Sequence, residues 1–191
     1  MSGLRDDLLP IYSRFRETGL PCFIGGSIAA MAYGEPRATL DIDVVASAAP
    51  SDAELIRGAF DEQRYRVPPK EVLVRELTRE RDGSFQILDR QTGMKGDFYL
   101  VGSDELLRHG LDSAREIELE SERIRVAHPN YTIAIKLRYY SLSSQEKHLN
   151  DIQGILRVSS EEVDRSWVAE RAIRERAKEA WEHRLREVGE G

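Results

Sequence analysis

Apolar positions along this chain recur with two periods, and the period changes several times. Leu4, Leu8, Leu9, Ile11, Tyr12 and Phe15 repeat at three- and four-residue spacings, which predicts an amphipathic helix over Leu4–Glu17. Pro10 shifts or splits its start. Thr18-Gly19 ends it. Cys22–Ile24 is then a short apolar strand, Gly25-Gly26-Ser27 a turn, Ile28–Tyr33 a short apolar helix, Gly34 and Pro36 a break, and the stretch around Asp41 and Asp43 a second strand. Ala49-Pro50-Ser51-Asp52 reads as a turn that caps a helix running to about Gln63, with Leu55, Ile56, Ala59 and Phe60 as its apolar face. Tyr65–Pro69 is extended. Lys70–Thr78 is expected to be helical, although Val72 and Val74 alternate as in a strand. Ser84–Asp89 and Lys95–Val101 alternate like the arms of a hairpin joined by Arg90–Met94. Asp104–His109 is a short helix or turn, and Ile117–Leu119 with Ile124–Ala127 a small hairpin around Ser121-Glu122. His128-Pro129-Asn130 caps the next element, and the rest is helical: Tyr131–Leu142, Ser144–Arg157, and Ser160 to about Val188 as one bent helix or two. An α/β core over 1–127 followed by a helical segment over 128–191 is the expected organisation.

The Ile24–Val45 stretch interrupts this apolar patterning with chemistry. Strand residues two apart point to the same face, so Asp41 and Asp43 stand side by side, with Ile42 and Val44 on the other side. Adjacent carboxylates repel and are costly to desolvate; a divalent cation bound by hard carboxylate oxygens removes the conflict. Solvated acids at a strand end are the plainer alternative. Upstream, Gly25 and Gly26 permit close backbone approach. The following helix presents free N–H groups and the Ser27 hydroxyl, which suits a phosphate; an ordinary strand-to-helix turn with a serine cap has the same wording. If the two strands are neighbours, both features face one site. Arg37 and Thr39 precede the carboxylates, with Thr39 on their strand parity. Arg37 suits a phosphate or an active-site carboxylate.

Gly26-Ser27, thirteen intervening residues and then Asp41-Ile42-Asp43 resemble the signature of the DNA polymerase β-like nucleotidyltransferase superfamily. The Gly25-Gly26-Ser27 and Arg37-Ala38-Thr39-Leu40-Asp41-Ile42-Asp43 wording is most similar to minimal bacterial nucleotidyltransferases related to the abortive-infection (AbiEii-like) toxins. The resemblance implies an α/β (α+β) fold, a mixed sheet flanked by helices and followed by a C-terminal helical segment. It implies transfer of an NMP from an NTP to a hydroxyl of RNA, protein or a small molecule. Two Mg²⁺ ions would be held by Asp41, Asp43 and a third carboxylate on a later strand. Asp97, set in Lys95-Gly96-Asp97-Phe98-Tyr99, fills that place, with Asp89 and Asp82 as competitors nearer turns. Lys136 sits on a helix after the core, where related toxins also carry a lysine, and suits a triphosphate or a developing charge. A solvated lysine whose stem covers the core is the alternative. Lys147-His148-Leu149-Asn150-Asp151-Ile152 resembles the family's closing motif. Asp151 also suits an i, i+4 pair with Lys147, or a buried acid anchoring Arg37 or Lys136. The family's stretch before that motif is often glycine-rich; here it is Ser141–Glu146. A non-catalytic nucleotide- or partner-binding module, such as one half of a toxin–antitoxin pair, and an aminoglycoside-type enzyme are the competing readings.

Composition narrows these readings. The chain has 191 residues, 40% hydrophobic and 32% charged, with a formal net charge of −6, which describes a folded protein and gives no basic footprint for non-specific nucleic-acid binding. Arg165, Arg171, Arg174, Arg176 and Lys178 could still touch an RNA acceptor. A single cysteine, Cys22, excludes an internal disulfide framework and any multi-cysteine zinc site. No apolar run nears the ~20 residues that span a bilayer, and no signal core opens the chain, so a cytoplasmic location without membrane association is expected.

Overall fold

The computed structural model describes residues 9–119 and 122–189. The described residues form two compact units: one from the Met1–Gly25 and Thr39–Val126 stretches, the other from Gly26–Ala38 and Ala127–Gly191.

The first unit is built on a seven-stranded mixed sheet in the order β3-β4-β5-β2-β1-β7-β6. The strands are β1 Cys22–Ile24, β2 Asp41–Ala46, β3 Tyr65–Arg66, β4 Ser84–Asp89, β5 Lys95–Leu100, β6 Arg115–Leu119 and β7 Glu122–Val126. β2 runs antiparallel to β1 and parallel to β5, which makes the sheet mixed. One face is apolar and closed: Ile42, Val44, Phe85, Ile87, Phe98 and Leu100 are all buried. Helix α1 (Leu9–Arg16) lies in its core; Phe15 meets Phe98 at 4.8 Å between ring centroids, and Phe98 stacks on Phe85 at 4.7 Å. Gly96 is required by this packing. A Cβ there would stand 2.6 Å from Ile11 Cγ2, so its close approach is to a core side chain.

Helices α3 (Ala53–Gly58), α4 (Lys70–Leu77) and α5 (Glu105–Ser113) complete this unit. α3 is shorter than its sequence pattern suggests. The Asp61 carboxylate accepts from the Gln63 N–H at 3.0 Å and the Asp61 carbonyl from the Tyr65 N–H at 2.7 Å, a local turn that competes with helix continuation. Phe60, expected on the helix, packs edge-on against Tyr65 at 5.3 Å instead. α4 confirms the helical reading of Lys70–Thr78. α5 runs on past His109 to Ser113, longer than expected, and starts at an Asp104 cap that accepts from the Leu106 and Leu107 N–H groups at 2.8 and 3.0 Å.

The second unit is helical: α2 (Gly26–Tyr33), α6 (Pro129–Ser143), α7 (Glu146–Val158), α8 (Arg165–Arg174) and α9 (Lys178–Gly189). α2 packs on α6 and α7. A Cβ on Gly34 would meet backbone atoms of Gly154 and Ile155 at 3.0 Å, so glycine sets that close approach. His128 caps α6, its Nδ1 accepting from the Asn130 N–H at 3.2 Å. The C-terminal pattern resolves into two helices, broken where Arg176 takes φ 57° in a turn closed by Ala177 N–H donating to the Ala172 carbonyl at 2.8 Å. The Leu4–Leu8 half of the expected first helix and Ser121 of the small hairpin turn lie outside the described residues. No described helix is long and apolar enough to cross a membrane.

Candidate active site

The second face of the sheet is polar where β2, β5 and β4 lie side by side. In the β2–β5 register Asp43 is opposite Asp97 and Asp41 opposite Lys95; in the β4–β5 register Gln86 is opposite Asp97. Residues opposite one another share a face, so Asp41, Asp43 and Asp97 occupy one patch with Gln86, Lys95 and Tyr99, turned away from the Ile42/Val44/Phe98 core. All three carboxylates are half-buried. β1 and β2 are neighbours, and the Gly25 N–H donates to the Asp43 carbonyl at 2.8 Å.

Two of the three carboxylates are held by neutral donors. Thr39 Oγ1 donates to Asp41 Oδ1 at 2.8 Å and lies 3.1 Å from the Asp41 carbonyl. Gln86 Nε2 donates to Asp97 Oδ1 at 2.6 Å. With Asp41 turned to Thr39 and Asp97 to Gln86, no group of three His, Cys, Asp or Glu side chains converges on one point among the described residues. The donor set is nonetheless hard, anionic and aligned along two adjacent strands.

The rival third carboxylates serve other purposes. Asp89 is on the closed face at 0% exposure. It accepts from Arg64 Nε and Nη2 at 2.9 and 2.7 Å and from the Gln91 N–H at 2.9 Å. Burial pushes its carboxyl up, but the Arg64 and backbone donors outweigh that and hold it below the ordinary range. Asp82 is an exposed turn residue with φ 56°.

The second unit gathers the remaining candidates. Gly26 opens α2 with φ 54°, a conformation that favours glycine, and Ser27 follows, buried. Asp151 on α7 joins two cations. Arg37 grips it bidentately, Nε to Oδ1 at 3.0 Å and Nη2 to Oδ2 at 3.2 Å, and Lys136 Nζ on α6 donates to Oδ2 at 2.6 Å. Lys136 is only 4% exposed, so it is no solvated surface lysine. Of the readings open for Asp151, the anchor for Arg37 and Lys136 is the arrangement present. Burial raises the Asp151 carboxyl; the Arg37 and Lys136 hydrogen bonds and charges overcome it and leave it lowered. His148, one turn before Asp151, is pushed down to about 4 by burial first and then by the charges of Lys136 and Lys147. Its ring lies 5.8 Å from that of Tyr139, and its buried Nδ1 has no hydrogen-bond partner among the described residues.

A family model described as "Nucleotidyl transferase AbiEii toxin, Type IV TA system" matches residues 22–190. The chain belongs to this AbiEii nucleotidyltransferase family. No curated protein matches it. Among solved structures, the antibiotic-resistance factor ANT(2'')-Ia in solution aligns at TM-score 0.60 with 17% identity, covering 94% of this chain and 95% of that one. A crystal structure of ANT(2'')-Ia with adenylyl-2''-tobramycin aligns at 0.58 with 17% identity over 87% and 95%. An antigenic nucleotidyltransferase-like protein from Paracoccidioides brasiliensis aligns at 0.52 with 11% identity over 91% and 90%. These likenesses show a shared nucleotidyltransferase fold.

Two residues of this AbiEii-family chain join the carboxylate face unannounced by its motif. Gln86 and Lys95 are ordinary polar positions of alternating strands in the sequence. The alternation gives each its parity, but only the β4–β5–β2 register shows that one meets Asp97 and the other stands beside Asp41.

Proposed function

We propose that the chain transfers an NMP from an NTP to an acceptor hydroxyl in a Mg²⁺-dependent reaction. The observation that supports this best is the shared, solvent-facing patch of Asp41, Asp43 and Asp97 in a chain of a nucleotidyltransferase family. The donor set fits hard divalent cations: three carboxylates on one face, with neutral partners at Asp41 and Asp97 that leave their charge in place. Asp41, Asp43 and Asp97 would hold Mg²⁺, which supplies charge that offsets the triphosphate and lowers the pKa of the attacking hydroxyl.

The remaining roles belong to the chain itself. Thr39 orients Asp41. Asp97 receives the acceptor hydroxyl proton as that oxygen attacks the α-phosphorus in line and the bond to pyrophosphate breaks. The Gly26 and Ser27 N–H groups and the Ser27 hydroxyl bind the β- and γ-phosphates, with Gly25 keeping the turn narrow. Lys136, held in one rotamer by Asp151, and Arg37 supply positive charge to the leaving pyrophosphate. An acidic chain suits a cationic acceptor, the chemistry of the aminoglycoside product bound in one structural neighbour. RNA and protein hydroxyls are the alternatives carried by the toxin family, in which an antitoxin partner is also expected.

The test is label transfer. The protein is incubated with each α-labelled NTP, Mg²⁺ and, separately, tRNA, cell protein and an aminoglycoside, and the series is repeated with Asp43→Asn. Transfer by the wild type and none by the variant is the expected result. Intact NTP binding with no transfer to any acceptor would instead favour a binding module.

A further inference from the structure

The neutral donor at Asp97 has a consequence beyond the reading just given, and rests on it. Three little-exposed carboxylates elsewhere in the described chain are held by cations: Asp89 by Arg64, Asp151 by Arg37 and Lys136, Glu175 by the bidentate Arg138 at 2.8 and 2.9 Å. A cation offsets a carboxylate's charge and competes with a metal for it. The carboxylate face is built differently. Its lysine, Lys95, lies opposite Asp41 and two residues before Asp97, yet forms no ion pair among the described residues. Asp97 is met by the amide of its cross-strand neighbour. That amide engages Oδ1, and Oδ2 accepts no other hydrogen bond among the described residues.

We infer that Gln86 is a positioning residue for the third carboxylate. Its amide N–H fixes the Asp97 side chain through Oδ1 and presents Oδ2 to a divalent cation, while adding no charge that would weaken the carboxylate as a ligand. Partners of this kind orient a ligand's rotamer and tune its affinity. Gln86 is solvent-exposed on β4, so replacing it leaves the buried Phe85/Ile87 face untouched. A surface glutamine without this role would tolerate leucine or lysine equally well.

The experiment measures Mn²⁺ binding to the full chain by EPR, without nucleotide, for wild type, Gln86→Leu, Gln86→Lys and Asp43→Asn, with thermal melts as fold controls. Gln86→Leu is expected to weaken Mn²⁺ about 10-fold or more, the range for lost outer partners of metal ligands. Gln86→Lys is expected to weaken it further, because the ammonium pairs with Asp97. In the transfer assay Gln86→Leu should need proportionally more Mg²⁺ and recover turnover at high Mg²⁺, with KM for NTP little changed once the metal saturates. Wild-type binding with unchanged affinity in both Gln86 variants overturns this inference alone. A wild type that binds no Mn²⁺, or binds it unchanged in Asp43→Asn, overturns the metal reading and this inference with it.

Discussion

Replacing Asp151 by asparagine removes the anion that two cations share, and the two should respond unequally. The Lys136 side chain is 5% exposed and its ammonium is 2.6 Å from Asp151 Oδ2, so the substitution takes a carboxylate charge away from a buried ammonium and puts a neutral amide in its place. Breaking a buried pair in this way costs about 3–5 kcal/mol. Arg37 is 41% exposed and can turn into water, adding at most about 1 kcal/mol. Asp151→Asn should therefore cost roughly 3–5 kcal/mol, a fall in Tm of about 6–20 °C for a chain of this size. Urea unfolding followed through Trp181, buried on α9 of the same helical unit, reads the change. Lys136→Met combined with Asp151→Leu removes both buried charges and should recover most of the loss, since apolar replacements of buried pairs are often neutral. The sign with pH follows from the lowered Asp151 carboxyl: its contribution is fully present above the unfolded value near ~3.9 and is lost as pH falls through the lower folded value. A single-variant cost below about 1 kcal/mol, or a double variant as unstable as the single, would refute the buried-charge argument.

Three further outcomes follow from the same contacts. His148, depressed to about 4, stays neutral in the folded chain while the unfolded chain takes up a proton below ~6.5; stability should fall as pH drops from there toward 4. An NMR titration should find His148 titrating at about 4, and His148→Gln should remove part of that acid-side loss. Gly96→Ala places a methyl 2.6 Å from Ile11 Cγ2 and should cost about 1–3 kcal/mol by overpacking, read as a lower urea midpoint. Asp89→Asn should destabilise by about 1–3 kcal/mol through the lost Arg64 bonds without changing Mn²⁺ affinity, whereas Asp97→Asn should do the reverse; equal effects on both readouts would show that the two faces had been misassigned.

Local patterns carried much of this fold because most elements bury one regular face. Ser84–Asp89 and Lys95–Leu100 alternate cleanly, and Lys70–Leu77 puts Leu73 and Leu77 one turn apart in the core. The turn after Gly58 was hidden because Phe60 keeps helical spacing while packing on Tyr65, and the competing Asp61 bond is not visible as a period. The Asp41/Asp43 pair was legible from strand parity alone. Its juxtaposition with Asp97 depended on β2 and β5 pairing in parallel across the long stretch of chain between Ala46 and Lys95, which the family resemblance supplied and local sequence could not. Lys136 was the hardest to read: the helix around it is buried from Tyr131 to Leu137, so no stripe border places it, and a partner fifteen residues on helps to explain a lysine there.

The same residue type is used for opposite ends in this chain, and the partner decides which. Asp89 and Asp151 sit where a carboxylate has little water, and each is matched by guanidinium or ammonium donors. Such an anion is spent on the fold, because its charge is already offset. Asp41 and Asp97 stay partly exposed, and their carboxylates meet a hydroxyl and an amide. Those bonds order the side chains at small electrostatic gain, and a third half-buried acid, Asp43, beside them raises the cost of the arrangement. Lys95 stands within one strand spacing and forms no ion pair among the described residues. A fold selected for stability alone would close that gap with a single longer or better-placed cation. Keeping the charge uncompensated suits a ligand that brings positive charge of its own, as the divalent cation proposed for this face would.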